Sequence, residues 1–260
     1  MTDSWTIYDR LLDELPESGT AAACLVGRTW TLVRSDGVGM AKSFRDPGQA
    51  RTLKSPIAGT SRRELAAYLK SWNLFEASLG LAALNSFFNE PGRVESWLGR
   101  SSDEVASGPV FAKMAPELEG KKVAVVGHFP DLGHLAERCE LTILERNPQE
   151  GDLPDFAAEY VLPGQDFVFV SGTALVNKTL PRLLELAAGA RVVLVGPSVP
   201  LTPLWFDWGV DVLAGTVVTD PARAWEATQE GGNRSVFENG ASMVHIRRGD
   251  VGSRAAGRGV

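Results

Sequence analysis

The fold is decided by the stretch FVFVSGTALVN, residues 167–177. Its first four residues are apolar and either aromatic or β-branched, a pattern typical of a strand that is buried on both faces, as in a parallel sheet covered by helices. The small polar turn Ser171-Gly172-Thr173 follows directly and leads into a helical pattern. These three residues are therefore predicted to lie at the carboxyl end of a central strand.

Short apolar runs, spaced about one βα unit apart, surround this stretch and predict an α/β fold. We predict a Rossmann-like parallel-sheet domain over residues 120–247 and a flexible tail over residues 248–260. The predicted strands cover residues 123–126, 141–144, 167–170, 191–195, 210–213 and 242–246, with helical patterns at 132–139 and 175–188.

The first 119 residues follow a different pattern, which predicts a smaller α+β leading domain. They indicate an amphipathic helix over 4–15, a strand pair over 20–26 and 29–33, and a further strand near 39–44. Helix starts follow at Ser61 and Asn73. The helix after Asn73 is apolar on nearly every side, so we expect protein to enclose it.

Four small or polar residues share one stripe of that helix: Ser78, Ala82, Asn85 and Asn89. The spacing places them on one face. Two interpretations stay open. The stripe lines a ligand cleft, or it forms a close helix contact in which neighbouring backbone satisfies Asn85.

Composition limits the class of partner. The chain of 260 residues has 26 basic and 32 acidic residues, a net charge of -6, which disfavours nucleic acid and anionic membrane surfaces as the main partner. No run approaches the length of a membrane span, and the acidic N-terminus lacks the pattern of a signal peptide. Cys24 and Cys139 have no CxxC partner. We expect a cytoplasmic protein with reduced cysteines.

Four loops are predicted at the carboxyl edge of the sheet, where ligands of open α/β folds bind. The first is Gly127-His128-Phe129-Pro130, which lacks the glycine spacing of a dinucleotide fingerprint, so a standard NAD site is not expected. The second begins with Glu145, 18 residues after Gly127. Acids at such a position meet ribose in nucleotide-binding folds. An adenosine-like ligand and an ordinary charged loop are both open interpretations.

His128 is the one histidine predicted at this edge. It is a candidate ligand or general base, acting with Glu145, although a loop histidine often has neither role. His134 and His245 complete the set, and no HExxH or HxxxH zinc motif occurs.

The third and fourth loops follow the next predicted strands. Thr173 is a predicted N-cap, so that the N–H groups after it and the amide of Asn177 would meet an anion; simple capping is the alternative. The fourth loop, GPSVPLTP at 196–203, contains three prolines after Gly196 and would hold Pro197 and Ser198 rigidly. Rigid turns also occur without function.

These loops together resemble the putative heavy-metal chelation domain family. The helix segment EASLGLAALN, residues 76–85, is similar to the companion leading domain of that family. The stretches that carry the resemblance are VGHFP at 126–130, ERNP at 145–148, SGTALVNKT at 171–179, GPSVPL at 196–201, GV at 209–210 and LAG at 213–215.

The resemblance implies a leading domain similar to the N-terminal domain of enolases, followed by a Rossmann-like domain, with a ligand site in the cleft between them. It also implies a homodimer and the binding of a metal or a metal-bearing small molecule.

We therefore predict a protein that binds a small polar ligand, a heavy metal or a metal chelate, in an interdomain cleft. His128 and Glu145 are the candidate contacts for a metal ion or for proton transfer. No dense cluster of His, Cys or carboxylates occurs, which disfavours tight binding of a bare ion. The full set of candidate ligand-binding residues is Gly127, His128, Phe129, Glu145, Ser171, Gly172, Thr173, Asn177, Pro197 and Ser198, with Ser78 and Asn85 opposite.

Two alternatives stay open. One is an enzyme acting on a nucleotide-like or cofactor-precursor substrate, with Glu145 on the ribose. The other is a regulatory protein of metal homeostasis.

Overall fold

The computed structural model describes residues 4–45, 51–99, 108–130 and 132–251. Its leading part is mixed α and β. Helix α1 (Thr6–Asp13) is followed by an antiparallel sheet of β1 (Ala23–Val26), β2 (Trp30–Arg34) and β3 (Val38–Lys42), then by α2 (Arg62–Ala67), α3 (Leu74–Phe88) and α4 (Pro91–Leu98). The predicted first helix, the strand pair, the third strand and both helix starts are confirmed.

A seven-stranded sheet follows, and it begins after α5 (Val110–Leu118). Its order is β10-β9-β8-β7-β4-β5-β6, parallel throughout except for β10. The strands are β4 (Lys122–Val126), β5 (Glu140–Glu145), β6 (Leu153–Pro154), β7 (Phe167–Ser171), β8 (Arg191–Val195), β9 (Val210–Val218) and β10 (Ala241–Arg247). All six predicted strands are confirmed, β9 is longer than predicted, and β6 was not predicted.

The helices of this part are short. They are α6 (Gly133–Ala136), α7 (Ala158–Val161), α8 (Thr173–Val176), α9 (Leu180–Leu186), α10 (Pro221–Gln229) and α11 (Ser235–Glu238). The prediction of one continuous helix over 175–188 is wrong, because the helix is interrupted between α8 and α9. Lys178 has φ 65° there, and Pro181 lacks the N–H that a continuous helix needs. The helix predicted over 132–139 is only α6.

Strand β7 is buried on both faces, as predicted. Val168 and Val170 belong to the core that contains α3, whereas Phe167 and Phe169 belong to the core that contains α5. Tyr8 of α1 donates a hydrogen bond to the carbonyl of Leu175, 3.1 Å away. One face of the large sheet therefore packs against the leading part.

Helix α3 is enclosed, since every residue from Glu76 to Phe88 is buried. Strand β3 crosses it at Gly39, where an added Cβ would lie 2.1 Å from the carbonyl oxygen of Ala82 and 2.1 Å from the backbone nitrogen of Ser86. Because those atoms are backbone, they cannot move aside cheaply. A glycine at position 39 is therefore a condition for the contact between β3 and α3.

Three smaller predictions have outcomes here. Cys24 and Cys139 are free thiols, and no helix among the described residues is long and apolar enough to cross a membrane. Residues Arg248–Asp250, placed by the prediction in the tail, form a 3-10 turn in which Arg248 donates to the carbonyl of Val210 at 3.2 Å. Residues 252–260 lie outside the described residues. The division of the chain at residue 120 stays a prediction.

We predict that Gly39→Ala lowers the free energy of unfolding by about 3 kcal/mol or more, because the new methyl group overlaps backbone atoms of α3. Urea denaturation measures the change. Gly189→Ala is the control, since an added Cβ there meets nothing within 4 Å and the expected change is below about 0.5 kcal/mol. Equal stability of the two variants would contradict the contact.

A second prediction concerns His245 in β10, whose Nε2 is buried without a hydrogen-bond partner among the described residues. Burial, followed by the charges of Lys113 and Arg247, lowers the pKa of His245 to about 4. An unfolded histidine titrates near pH 6.5. Between these values the unfolded chain binds one more proton than the folded chain, so the free energy of unfolding falls as the pH falls from about 6.5 to about 4.

The measurement is urea denaturation from pH 7 to pH 4. His245→Gln should flatten this slope by up to one proton, while the exposed control His134→Gln should leave it unchanged. An imidazole of His245 that titrates near pH 6.5 by NMR would show the idea to be wrong.

Candidate functional site

A cleft of about 1370 Å³ runs along the carboxyl edge of the large sheet. One wall consists of the loops after β4, β5, β7 and β8, and the other includes Trp30, Lys42 and Phe44 of the leading part. The chain passes from β4 to β5 on one side and reaches β7 on the other, so the gap between β4 and β7 is a topological switch point, where ligands of such sheets bind.

The structure brings most of the predicted site residues together. Those that line the cleft are Gly127, His128, Phe129, Glu145, Ser171, Thr173, Asn177, Pro197 and Ser198. Gly172, Ser78 and Asn85 do not line it. Gly172 is pressed against the loop after β8, where an added Cβ would lie 2.7 Å from the backbone nitrogen of Val199.

Ser78 and Asn85 lie behind the wall and hold it in place. Ser78 donates its hydroxyl hydrogen to the carbonyl of Lys42. Asn85 donates from Nδ2 to the carbonyl of Met40 at 2.8 Å and to that of Ser198 at 3.2 Å. Both side chains are buried. Of the two interpretations of the stripe, the geometry fits the close helix contact, in which backbone carbonyls satisfy Asn85 Nδ2 while Oδ1 has no partner among the described residues.

The ring of His128 is oriented by a carboxylate that the sequence did not point to. His128 Nδ1 lies 2.9 Å from Asp152 Oδ2, and the Asp152 side chain is 1% exposed. Asp152 also accepts the N–H of Gln149 at 3.0 Å, which fixes its position. With Nδ1 donating to Asp152, Nε2 is the ring nitrogen left to meet a ligand, the arrangement common in histidines that bind metals or move protons.

Glu145 meets His128 through the backbone and not through the ring. Its Oε2 accepts the N–H of His128 at 2.9 Å, and its Oε1 accepts the N–H of Asn147 at 3.1 Å. Both carboxylate oxygens therefore tie the loops after β4 and β5 together. The carboxylate that contacts the ring of His128 is that of Asp152, and the role of Glu145 as a metal or proton contact stays a prediction.

The turn after β7 differs from the prediction. Thr173 is not the N-cap of α8; that position is Gly172, without a side-chain cap. Ser171 Oγ instead accepts the N–H of Thr173 at 3.3 Å and lies 2.8 Å from Thr173 Oγ1. A helix of four residues whose first N–H is already bonded does not form the predicted anion site.

Asn177 is the C-cap of α8, and its carboxamide oxygen bonds the next turn. Oδ1 accepts the N–H of Thr179 at 3.1 Å and its hydroxyl hydrogen at 2.6 Å. Within the described residues its amide nitrogen has no partner, so it is available as a donor in the cleft.

Phe129 forms the floor of the cleft between two strand ends. An added Cβ on Gly127 would lie 3.4 Å from this ring, and one on Gly196 would lie 3.5 Å from it. Both glycines have positive φ, 109° and 111°, a conformation that favours glycine. The two turns therefore let the aromatic ring approach both strand ends closely.

Two lysines line the cleft that sequence reasoning did not single out. Lys42 Nζ lies 5.4 Å from the centre of the Trp30 ring. Lys178 donates from Nζ to the carbonyls of Ser71 and Val176. Burial lowers the pKa of both amines, that of Lys178 to about 8. Neither lysine has a carboxylate partner among the described residues, and isolated lysines in a sequence give no sign of this.

The acids near the outer end of the cleft are already paired with arginines. Arg146 lies 2.9 Å from Asp155, and Arg182 lies 2.6 Å from Glu159. In the part of the chain that the structure describes, no group of three or more His, Cys, Asp or Glu side chains could hold a metal ion. The described wall therefore does not fit a bare heavy-metal ion as a resident cofactor.

Two solved structures share this architecture, and one further protein is similar in sequence. A protein of unknown function from Desulfitobacterium hafniense is 38% identical, with a TM-score of 0.81, over 94% of this chain and 98% of that one. A protein of unknown function from Pyrococcus horikoshii, 22% identical with a TM-score of 0.72 over 92% of this chain and 98% of that one, shares the fold. An uncharacterised protein of Methanocaldococcus jannaschii is 27% identical over 217 residues, 75% of this chain and 77% of that protein.

Family models match both parts of the chain. One covers residues 110–247 and the other covers residues 8–88, and both carry the description "Putative heavy-metal chelation". The first spans the whole large sheet, and both crystal structures belong to its family. The chain therefore belongs to the putative heavy-metal chelation family.

Proposed function

We propose that the protein binds a small, anionic, oxygen-rich metal chelate in the cleft, with the metal as ligand cargo and not as a resident cofactor. The observation that carries the proposal is the composition of the wall: one oriented imidazole, hydroxyl and amide donors, and two lysines that have no carboxylate partner in the part of the chain that the structure describes. A bare divalent cation needs anionic or several neutral donors. A chelate brings its own donors and its own negative charge.

His128 would supply one nitrogen to the metal of such a chelate. Asp152 holds the ring so that Nε2 carries the free lone pair, and a carboxylate in this position also makes the imidazole a better donor. Asn177 and the hydroxyls of Ser171 and Thr173 line the centre of the cleft, where they suit oxygen atoms of the ligand. The family description is compatible with this assignment.

The proposal includes a cytoplasmic location and a homodimer. The first follows from the acidic composition and the free Cys24 and Cys139. The second follows from the resemblance, and the exposed aromatic rings of Phe156 and Tyr160 are compatible with it.

An enzyme acting on a cofactor-precursor substrate is the second candidate, and Lys178 favours it. A cleft amine with a pKa of about 8 can accept a proton or attack a carbonyl group near neutral pH. A nucleotide is less well supported, because both oxygens of Glu145 are bonded to backbone N–H groups and α6 is too short to present a phosphate site.

Variants of the hydrogen-bonded pair His128 and Asp152 test the leading proposal. With Ni(II)–citrate as the probe, isothermal titration should show binding to the native protein that His128→Ala weakens by about 10-fold to 100-fold, and Asp152→Asn by about 10-fold. His134→Ala, an exposed residue outside the cleft wall, is the matched control. Tighter binding of Ni(II) alone than of Ni(II)–citrate, or a His128→Ala protein that binds like the native one, would overturn the proposal.

A separate prediction concerns the reactivity of the Lys178 amine. Reductive methylation with formaldehyde and cyanoborohydride at pH 8 should modify Lys178 faster than the exposed Lys121, since an ordinary lysine is almost fully protonated at that pH. The rate at Lys178 should level off above about pH 8. Peptide mass spectrometry measures both sites, and equal rates would remove the support for the second candidate.

A further inference from the structure

Lys42 is fixed on both sides of its backbone at the β8 end of the cleft. Its N–H donates to Ser198 Oγ at 2.9 Å, and its carbonyl accepts the hydroxyl hydrogen of Ser78. The first bond joins the last residue of β3 to the loop after β8, 156 residues away, and the second joins it to α3. The lysine side chain therefore starts from a rigid position in the wall.

The ammonium group of Lys42 has no counterion among the described residues. Its one described contact for the charge is the face of Trp30, at 5.4 Å, an interaction weaker than an ion pair with a carboxylate. Lys42 is half-buried, and this burial lowers the pKa of its amine. A positive charge in such a place is stabilised when a ligand supplies an anion.

Ser198 offers a hydrogen-bond donor beside this charge. Its side chain is 2% exposed and lines the cleft, and its oxygen already accepts the N–H of Lys42. The hydroxyl hydrogen therefore remains for an acceptor. Both residues line the same cleft, so the ammonium group of Lys42 and the hydroxyl hydrogen of Ser198 form a small patch of two donors on one wall.

Aromatic side chains frame the same end of the cleft. Trp30 is held by a hydrogen bond from Nε1 to the carbonyl of Asn233, 3.0 Å away, and by Phe237, whose ring centre is 5.9 Å distant. Phe44 also lines the cleft here. These rings make the surroundings of the patch partly apolar, and an ionic contact made there is stronger than one in open water.

We propose that Lys42 and Ser198 form a subsite for a carboxylate group of the ligand. This inference rests on the proposed function and deepens it, because it makes the chelate a polycarboxylate. Its metal would lie at the β4 end with His128, and one carboxylate arm would reach Lys42. Two strand spacings separate the ends of β4 and β8, a span on the order of 10 Å.

A carboxylate fits this patch better than a phosphate does. Phosphate sites in α/β folds usually consist of several backbone N–H groups in a loop or helix start. The loop after β8 contains Pro197, Pro200 and Pro203, and none of these residues has an N–H. One ammonium group and one hydroxyl hydrogen match the two oxygens of a single carboxylate.

Titration of Lys42 variants with citrate, Ni(II)–citrate, inorganic phosphate and Ni(II) alone tests the inference. Lys42→Met should weaken the binding of both citrate and Ni(II)–citrate by about 10-fold to 100-fold, the usual effect of losing a charge-assisted hydrogen bond. Lys42→Arg should stay within about 5-fold of the native protein, since it keeps the charge. Lys121→Met is the control, because it removes the same charge from the opposite end of β4.

Folding of Lys42→Met is checked by its melting temperature, which should change little because, among the described residues, Lys42 makes its hydrogen bonds through backbone atoms and loses only the contact of its ammonium group with Trp30. Native-like binding of citrate by Lys42→Met, or phosphate binding tighter than citrate binding, would overturn the subsite. Citrate binding that depends on Lys42 but gains nothing from Ni(II) would support the subsite and contradict the proposed function. Binding of Ni(II) alone that is tighter than that of Ni(II)–citrate, together with citrate binding that Lys42→Met leaves unchanged, would overturn both.

Discussion

The polar stripe of α3 is the constraint on which the rest of the structure depends. Asn85 and Asn89 are buried and donate to carbonyl groups of β3, of the loop after β8 and of β9, and Asn89 Oδ1 accepts the N–H of Leu201 at 2.8 Å. A buried amide left without partners costs about 1–3 kcal/mol. The small sheet and the loop after β8 therefore cannot separate without exposing these groups or leaving them unpaired, and the cleft wall between them is rigid.

The two ends of this rigid cleft are chemically different. At the β4 end, Asp152 orients His128, while Glu145 fixes the loop that carries it. At the β8 end, α3 holds Lys42 and Ser198 together through backbone contacts. The difference follows from the topology, because the carboxyl ends of parallel strands present their loops in the order in which the strands pair.

The parts that the sequence predicted are those that depend on local pattern. Burial on both faces forces an apolar run such as Phe167–Val170, and the loop after each such run must lie at one sheet edge. The prediction that Thr173 is an N-cap was wrong because the helix already includes Thr173, whose N–H is bonded by Ser171 Oγ and whose hydroxyl lies 2.8 Å from that oxygen. Asp152 and Lys42 could not be found from spacing, since their partners lie 24 and 156 residues away in the chain. Contacts of that range are set by the assembled fold.

The charge of the cleft decides between a bare ion and a chelate. A divalent cation at His128 would face Lys42 across a distance on the order of 10 Å, a repulsion of about 3 kcal/mol at an effective dielectric constant of about 20, before screening by salt. This repulsion opposes the attraction of Asp152 and Glu145, which lie beside His128 but are already hydrogen-bonded, and the described residues contain no group of three or more His, Cys, Asp or Glu that could hold the ion. An anionic complex reverses the sign of the interaction with Lys42, because the negative arms meet the ammonium group while the metal keeps its own donors. Lys42, which disfavours free ions, would therefore select anionic complexes. Selectivity would rest on the shape and charge of the chelate. It would not rest on the intrinsic affinity of nitrogen and oxygen donors for one metal.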